Sequence, residues 1–181
     1  MAASAGMKLA VFGATGTVGR AILQEALAAN HTVTALVRSP EKIAASSDQI
    51  NIIMGDYFDA DARGQTLDGA DAVLTTIGPP MKRAPNNGEY AKAMTVLVGQ
   101  MQNAGIKRIV AVGGAGLRIG DEKLHLSRRL MRLMLRLAGG KGYWDKEQEH
   151  NTLSASQLAG YMIAIINDAE TVRTAPFVAT V

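Results

Sequence analysis

The segment Gly13-Ala14-Thr15-Gly16-Thr17-Val18-Gly19 constrains this chain more than any other. It follows a β-type run, Lys8–Phe12 (KLAVF), and opens an amphipathic helical stretch, Thr17–Ala29. Gly13 permits the tight turn out of a strand. Gly16, without a Cβ, lets the backbone approach a diphosphate, and Gly19 lets a helix pack closely on a sheet. Free N–H groups at a helix start, with about half a positive charge from the helix dipole, attract phosphate oxygens. Gly13, Thr15, Gly16, Thr17 and Val18 are therefore the expected diphosphate cradle, the two threonines adding hydroxyls. The spacing is GxxGxxG rather than GxGxxG, and glycines alone also serve a purely structural turn. The strand before and the helix after favour a dinucleotide.

The rest of the chain repeats that alternation. Further strands are expected at Thr32–Val37, Ile50–Met54, Ala72–Ile77 and Arg108–Val112, each rich in Val, Ile or Leu as strands covered on both faces are. Between them lie a short helix within Pro40–Ser47, one or two turns at Ala62–Leu67, and a long helix at Asn87–Ala104. Ser39 reads as a capping hydroxyl before Pro40 at the first helical position. Asn30 and Gly105 sit where left-handed residues end helices. Right-handed crossovers then give sheet order 3-2-1-4-5, a Rossmann-type doubly wound parallel sheet in three α/β/α layers. With 181 residues and no internal repeat, a single domain over 1–181 is expected, residues 1–6 forming a leader ahead of Met7.

Arg38 ends the second strand, where an NAD-selective site would present Asp or Glu to the ribose 2′-hydroxyl. An arginine there suits the 2′-phosphate of NADP(H), with Ser39 and Lys42 beside it; the plainer alternative is a solvated surface cation. Asp56 and Tyr57 follow the third strand and could edge the adenine, although Asp56 also suits a simple turn. Thr76, Ile77 and Gly78 end the fourth strand at the crevice where strand order reverses. Gly113 and Gly114, after the fifth, let backbone pass close to a nicotinamide or substrate, or else form a flexible surface loop.

Composition removes other classes. Net charge is only +3 and aromatics are 4%, which leaves little for phosphate tracking and base stacking, so nucleic acid is not an expected partner. There is no cysteine, hence no disulfide frame, thiolate zinc site or cysteine nucleophile, and the chain fits a reducing cytoplasm. The three histidines, His31, His125 and His150, form no metal-ligand spacing, so no metal is expected. No apolar stretch reaches the roughly 18 residues of a membrane span, and no secretory signal precedes Gly13.

The segments GATGTVG, ALVRSPEK, NIIMGDYFD, DAVLTTIG, AGIKRIVAVGGAG and YWDKEQEH together resemble the atypical short-chain dehydrogenase/reductases. The branch most similar is that of the NmrA-like and biliverdin-IXβ/flavin-reductase-like proteins. The resemblance runs from Met7 onward and implies a Rossmann fold holding NADP(H). Some members reduce flavins or quinones; others bind the nucleotide as redox sensors without turnover. Three departures stand out. Tyr143 and Lys146 are three apart, not the four of YxxxK, so no catalytic residue is assigned. Glycine, not serine, follows the fifth strand. Asn151-Thr152 runs almost directly into Leu153–Ala159, so the family's sixth strand and substrate loop are expected to be missing and the C-terminal part shortened.

Other features have ordinary readings. Arg128, Arg132 and Arg136 mark the solvated face of an expected helix at Leu124–Ala138, with a membrane or anionic-partner patch as the alternative. Helix is also expected at Tyr143–Ser156 and Gln157–Asn167, and a strand at Ala175–Val181. Met94, Met101, Met131, Met134 and Met162 read as core filler or interface rather than a cofactor box. His31 reads as capping the turn into the second strand, and His150 is the one histidine placed to donate a proton. The expected activity is NADPH-dependent hydride transfer to a small planar acceptor such as a flavin or quinone, the alternative being a non-catalytic NADP(H) sensor.

Overall fold

The computed structural model describes residues 6–43, 47–77, 89–112 and 155–168. Strands β1 (Lys8–Phe12), β2 (Thr32–Val37), β3 (Ile50–Met54), β4 (Ala72–Thr75) and β5 (Ile109–Ala111) form one parallel sheet ordered β3-β2-β1-β4-β5. Helix α1 is Thr17–Ala28, α2 Ala60–Leu67, α3 Glu89–Asn103 and α4 Ala155–Ala164, the last running into a 3₁₀ turn at Ile165–Asn167. The Rossmann-type order expected from the sequence is the order found.

Side-chain alternation along the central strand sorts the core into two layers. Leu9 and Val11 pack with Ile22 and Ala26 of α1 and with Ala159 and Met162 of α4. Ala10 and Phe12 point the other way, to Ala62 and Leu67 of α2 and to Ala93, Leu97 and Met101 of α3. Met94 packs at the edge of that second layer, so Met94, Met101 and Met162 all pack in the core, as expected, whereas Met54 is exposed.

Helices α1 and α3 end alike. Asn30 (φ 59°) and Gly105 (φ 73°) take the left-handed conformation. Their N–H groups donate to Leu27 and Gln102, while those of His31 and Ile106 reach back to Ala26 and Met101. This paired pattern satisfies the last carbonyls and turns each chain into the next strand. His31 does more than cap: its ring is buried and its Nδ1 accepts from Met7 N–H at 3.1 Å, pinning the approach to β1.

Several boundaries differ from expectation. Of the helix expected within Pro40–Ser47, the described residues form a 3₁₀ turn, Pro40–Lys42, and Ile43 is already extended, which lets its side chain reach the core layer under α1. Ser39 makes no side-chain cap; its carbonyl receives Lys42 N–H instead. Helix α2 starts two residues early because Asp59 Oδ1 accepts from Asp61 and Ala62 N–H. β4 stops at Thr75, since Ile77 N–H turns onto Thr75 Oγ1. The expected helix at 124–138, the expected helix at Tyr143–Ser156 up to residue 154, the missing sixth strand and the terminal strand lie outside the described residues; Ala155 and Ser156 open α4 instead. Among the described residues no helix is long and apolar enough to cross a membrane.

Candidate functional site

Strand order reverses between β1 and β4, so their carboxyl ends border the crevice where open α/β sheets take ligands. The glycine loop lies there and is held by one atom. Gly13 (φ 91°) turns the chain, and its carbonyl oxygen accepts from Gly16 N–H at 3.1 Å and from Thr76 Oγ1 at 3.3 Å. A Cβ on Gly13 would lie 2.5 Å from Thr76 Oγ1, and one on Gly19 would lie 2.0 Å from Gly13 O. Gly19 is thus required by the folded-back turn itself, more than by the sheet contact expected for it. A Cβ on Gly16 would meet only Gly13 O, at 3.4 Å. The loop's own packing leaves that position open.

Gly16 is the cap residue of α1 and offers no side chain to the helix's first amides. With its own N–H turned onto Gly13, the donors left at this end are the first-turn amides of Thr17, Val18 and Gly19, of which Gly19 is buried. Gly16 and Thr17 are exposed and Thr15 half-buried, whereas the Val18 side chain packs against the core and leaves only its backbone to a ligand. An uncapped, exposed helix start with glycine at the cap is chemically an anion site. Thr76 and Ile77 border it, Ile77 packing on the α3 side of the sheet.

The second cluster is set by register. Val37 pairs with Met54, and Gly55 N–H donates to Val37 O, so the residues after β2 and β3 emerge together. Arg38 Nη1 lies 3.8 Å from Asp56 Oδ2, with 79% and 43% of the two side chains exposed. Asp56 Oδ1 accepts from Phe58 N–H at 2.9 Å, closing a short turn. Ser39 is half-buried and Lys42 exposed beside them.

Tyr57 does not edge this site with its ring. The ring is buried, edge-on to Phe12 and Phe58, and its hydroxyl has no hydrogen-bond partner among the described residues. Burial raises the phenol's pKa, with the Arg63 charge opposing. The exposed aromatic is Phe58, which stacks edge-on to Tyr90 of α3. Two adjacent aromatics in GDYFD signalled that one would face out, but the parity was not readable past the end of β3. Arg63 was also missed. It is buried, donates to Tyr57 O and to Gln100 Oε1, and lies over the Tyr57 ring, tying α2 to α3.

The structure thus brings Gly13, Thr15, Gly16, Thr17 and Val18 together with Thr76 and Ile77, and Arg38 with Asp56. Gly78, Gly113, Gly114, Tyr143, Lys146, His150 and the Arg128–Arg136 series lie outside the described residues. Among the described residues no cluster of His, Cys, Asp or Glu could hold a metal ion.

A family model described as NAD(P)H-binding matches residues 13–167. The uncharacterized Bacillus subtilis protein YwnB is 32% identical over 117 residues, 64% of this chain and 51% of YwnB. A Streptococcus pneumoniae crystal structure, that of a candidate NADH-flavin reductase, is 35% identical with a TM-score of 0.51, over 66% of this chain and 53% of that one. A candidate epimerase from Bacteroides thetaiotaomicron is 24% identical with a TM-score of 0.67, over 91% and 93% of the two chains, a likeness of fold. This chain spans about half the length, or less, of the curated relatives it matches.

Proposed function

Because this chain belongs to that NAD(P)H-binding family, we propose that it is a reductase that takes NADP(H) and serves a small planar acceptor such as a flavin or quinone. The observation that carries this is the opening of α1, where Gly16 leaves exposed first-turn amides uncapped and no atom of the loop fills the space its Cβ would occupy closer than 3.4 Å. The residues fit a dinucleotide. Thr17 and Val18 N–H groups, with the Thr15 and Thr17 hydroxyls, would hold the diphosphate. Arg38, with Ser39 and Lys42, would take the 2′-phosphate, and Asp56 borders the adenosine end.

Thr76 and Ile77, with Gly78, Gly113 and Gly114, would border the nicotinamide end. When bound, that ring supplies the hydride, and the chain's part is to orient it and exclude water. A flavin or quinone can take its proton from solvent, so the reading asks for no general acid. The flavin is suggested by the Streptococcus pneumoniae relative.

The test is NADPH consumption, followed by absorbance, with FMN or menadione present. Acceptor-dependent consumption is the expected result. Binding without consumption against every such acceptor would leave a nucleotide-binding regulatory module, and a protein that ignores all pyridine nucleotides would end the reading.

A further inference from the structure

We propose that Asp56 is a specificity-determining residue that holds the preference for NADPH over NADH small, so that this chain uses both nucleotides. The inference rests on the assignment of Arg38 to the 2′-phosphate made above. The two strand ends emerge side by side, and the Asp56 carboxylate is the acidic group on the Arg38 guanidinium, 3.8 Å away.

Two consequences follow from that placement. A 2′-phosphate drawn to Arg38 meets a carboxylate already facing the same cation, and two anions at one guanidinium repel each other. A ribose 2′-hydroxyl meets the opposite situation, because a carboxylate is the acceptor that NAD-selective sites offer it. That acceptor usually stands at the end of β2; here β3 supplies it, and β2 supplies the phosphate-seeking cation. The aspartate is also fixed in place. Its other oxygen is engaged by Phe58 N–H, so the carboxylate does not swing freely away from Arg38. Both side chains are largely exposed, which limits the size of the effect to that of a screened pair.

Isothermal titration of NADPH and NADH against wild type, Asp56→Asn, Arg38→Gln and the double variant tests this. Asn keeps the Phe58 turn acceptor and removes only the charge. Asp56→Asn is expected to raise the ratio of NADPH to NADH affinity about five-fold, the effect of one charge near 4 Å in water. In the Arg38→Gln background that gain should shrink, since the pair no longer exists. If Arg38→Gln lowers the ratio but Asp56→Asn leaves it unchanged, the proposal for Asp56 is overturned while the assignment of Arg38 stands. If Arg38→Gln leaves the ratio at its wild-type value, the assignment fails and takes the proposal with it. A gain from Asp56→Asn that is equally large without Arg38 also overturns the proposal, because the coupling would not run through the guanidinium.

Discussion

Gly19 lies so close under the Gly13 carbonyl that a Cβ on it would stand 2.0 Å from the oxygen. That oxygen is backbone and already holds Gly16 N–H and Thr76 Oγ1, so it has no rotamer by which to move away. Gly19→Ala should therefore destabilise the fold by about 3 kcal/mol, the upper part of the range for overpacking, and abolish nucleotide binding. Gly16→Ala is the contrast. Its backbone (φ −73°, ψ 171°) suits alanine and its Cβ has room. It should cost no more than about 1 kcal/mol, the usual cost of alanine at a cap position, yet weaken NADPH binding tenfold or more. Thermal melts with fluorescence titrations check both; a Gly19→Ala protein of wild-type stability would contradict the geometry.

Replacing Arg38 by Asp should reverse the cofactor preference. It removes a charge-assisted phosphate contact of roughly 1.5–3 kcal/mol and places a second carboxylate next to Asp56. NADPH affinity should fall about 10- to 100-fold while NADH affinity holds or improves, read by titration of both nucleotides. Equal losses for the two would mean that Arg38 does not meet the 2′-phosphate.

Burial lowers the pKa of His31 below its ordinary value of 6.5, and its Nδ1 is occupied as an acceptor from Met7 N–H. The unfolded chain therefore takes up the proton first as pH falls. Stability contributed by neutral His31 is complete above about pH 6.5 and is lost as pH drops below it, by at most about 1.4 kcal/mol per pH unit for one proton. Urea midpoints between pH 7.5 and 5 should fall for wild type and fall less for His31→Gln, whose amide oxygen can still accept from Met7. Parallel profiles would remove His31 as the source.

Tyr57→Phe deletes a buried hydroxyl that has no partner among the described residues and keeps the ring against Phe12 and Phe58. The variant should gain about 1 kcal/mol, because the tyrosine leaves a desolvated polar group unpaired. Nucleotide affinity should not change, since the ring faces the core. Loss of affinity on this substitution would put the phenol back at the adenine.

The sheet was legible because its inner strands β1, β2 and β4 are largely buried and all five read as short runs rich in Val, Ile, Leu and Ala, and because Asn30 and Gly105 mark the ends of α1 and α3. The glycine loop was legible from its context between β1 and α1. What stayed hidden depends on groups that only folding brings together. Arg38 and Asp56 were each readable as adenosine-end residues, but their pairing comes from the β2–β3 register. The Arg63–Gln100 bond joins residues 37 apart on α2 and α3, and no local pattern announces it. Ser39 looked like a cap because the motif is right; a 3₁₀ turn closed by the backbone left its hydroxyl nothing to do.

The hold of Thr76 and Gly16 on the Gly13 oxygen has a kinetic corollary. A ligand reaching this end of the sheet finds the loop already held by its own hydrogen bonds, so little of its binding energy is spent on ordering that segment. Association should then be limited by encounter and rise linearly with nucleotide concentration, without the plateau that a slow loop rearrangement would impose.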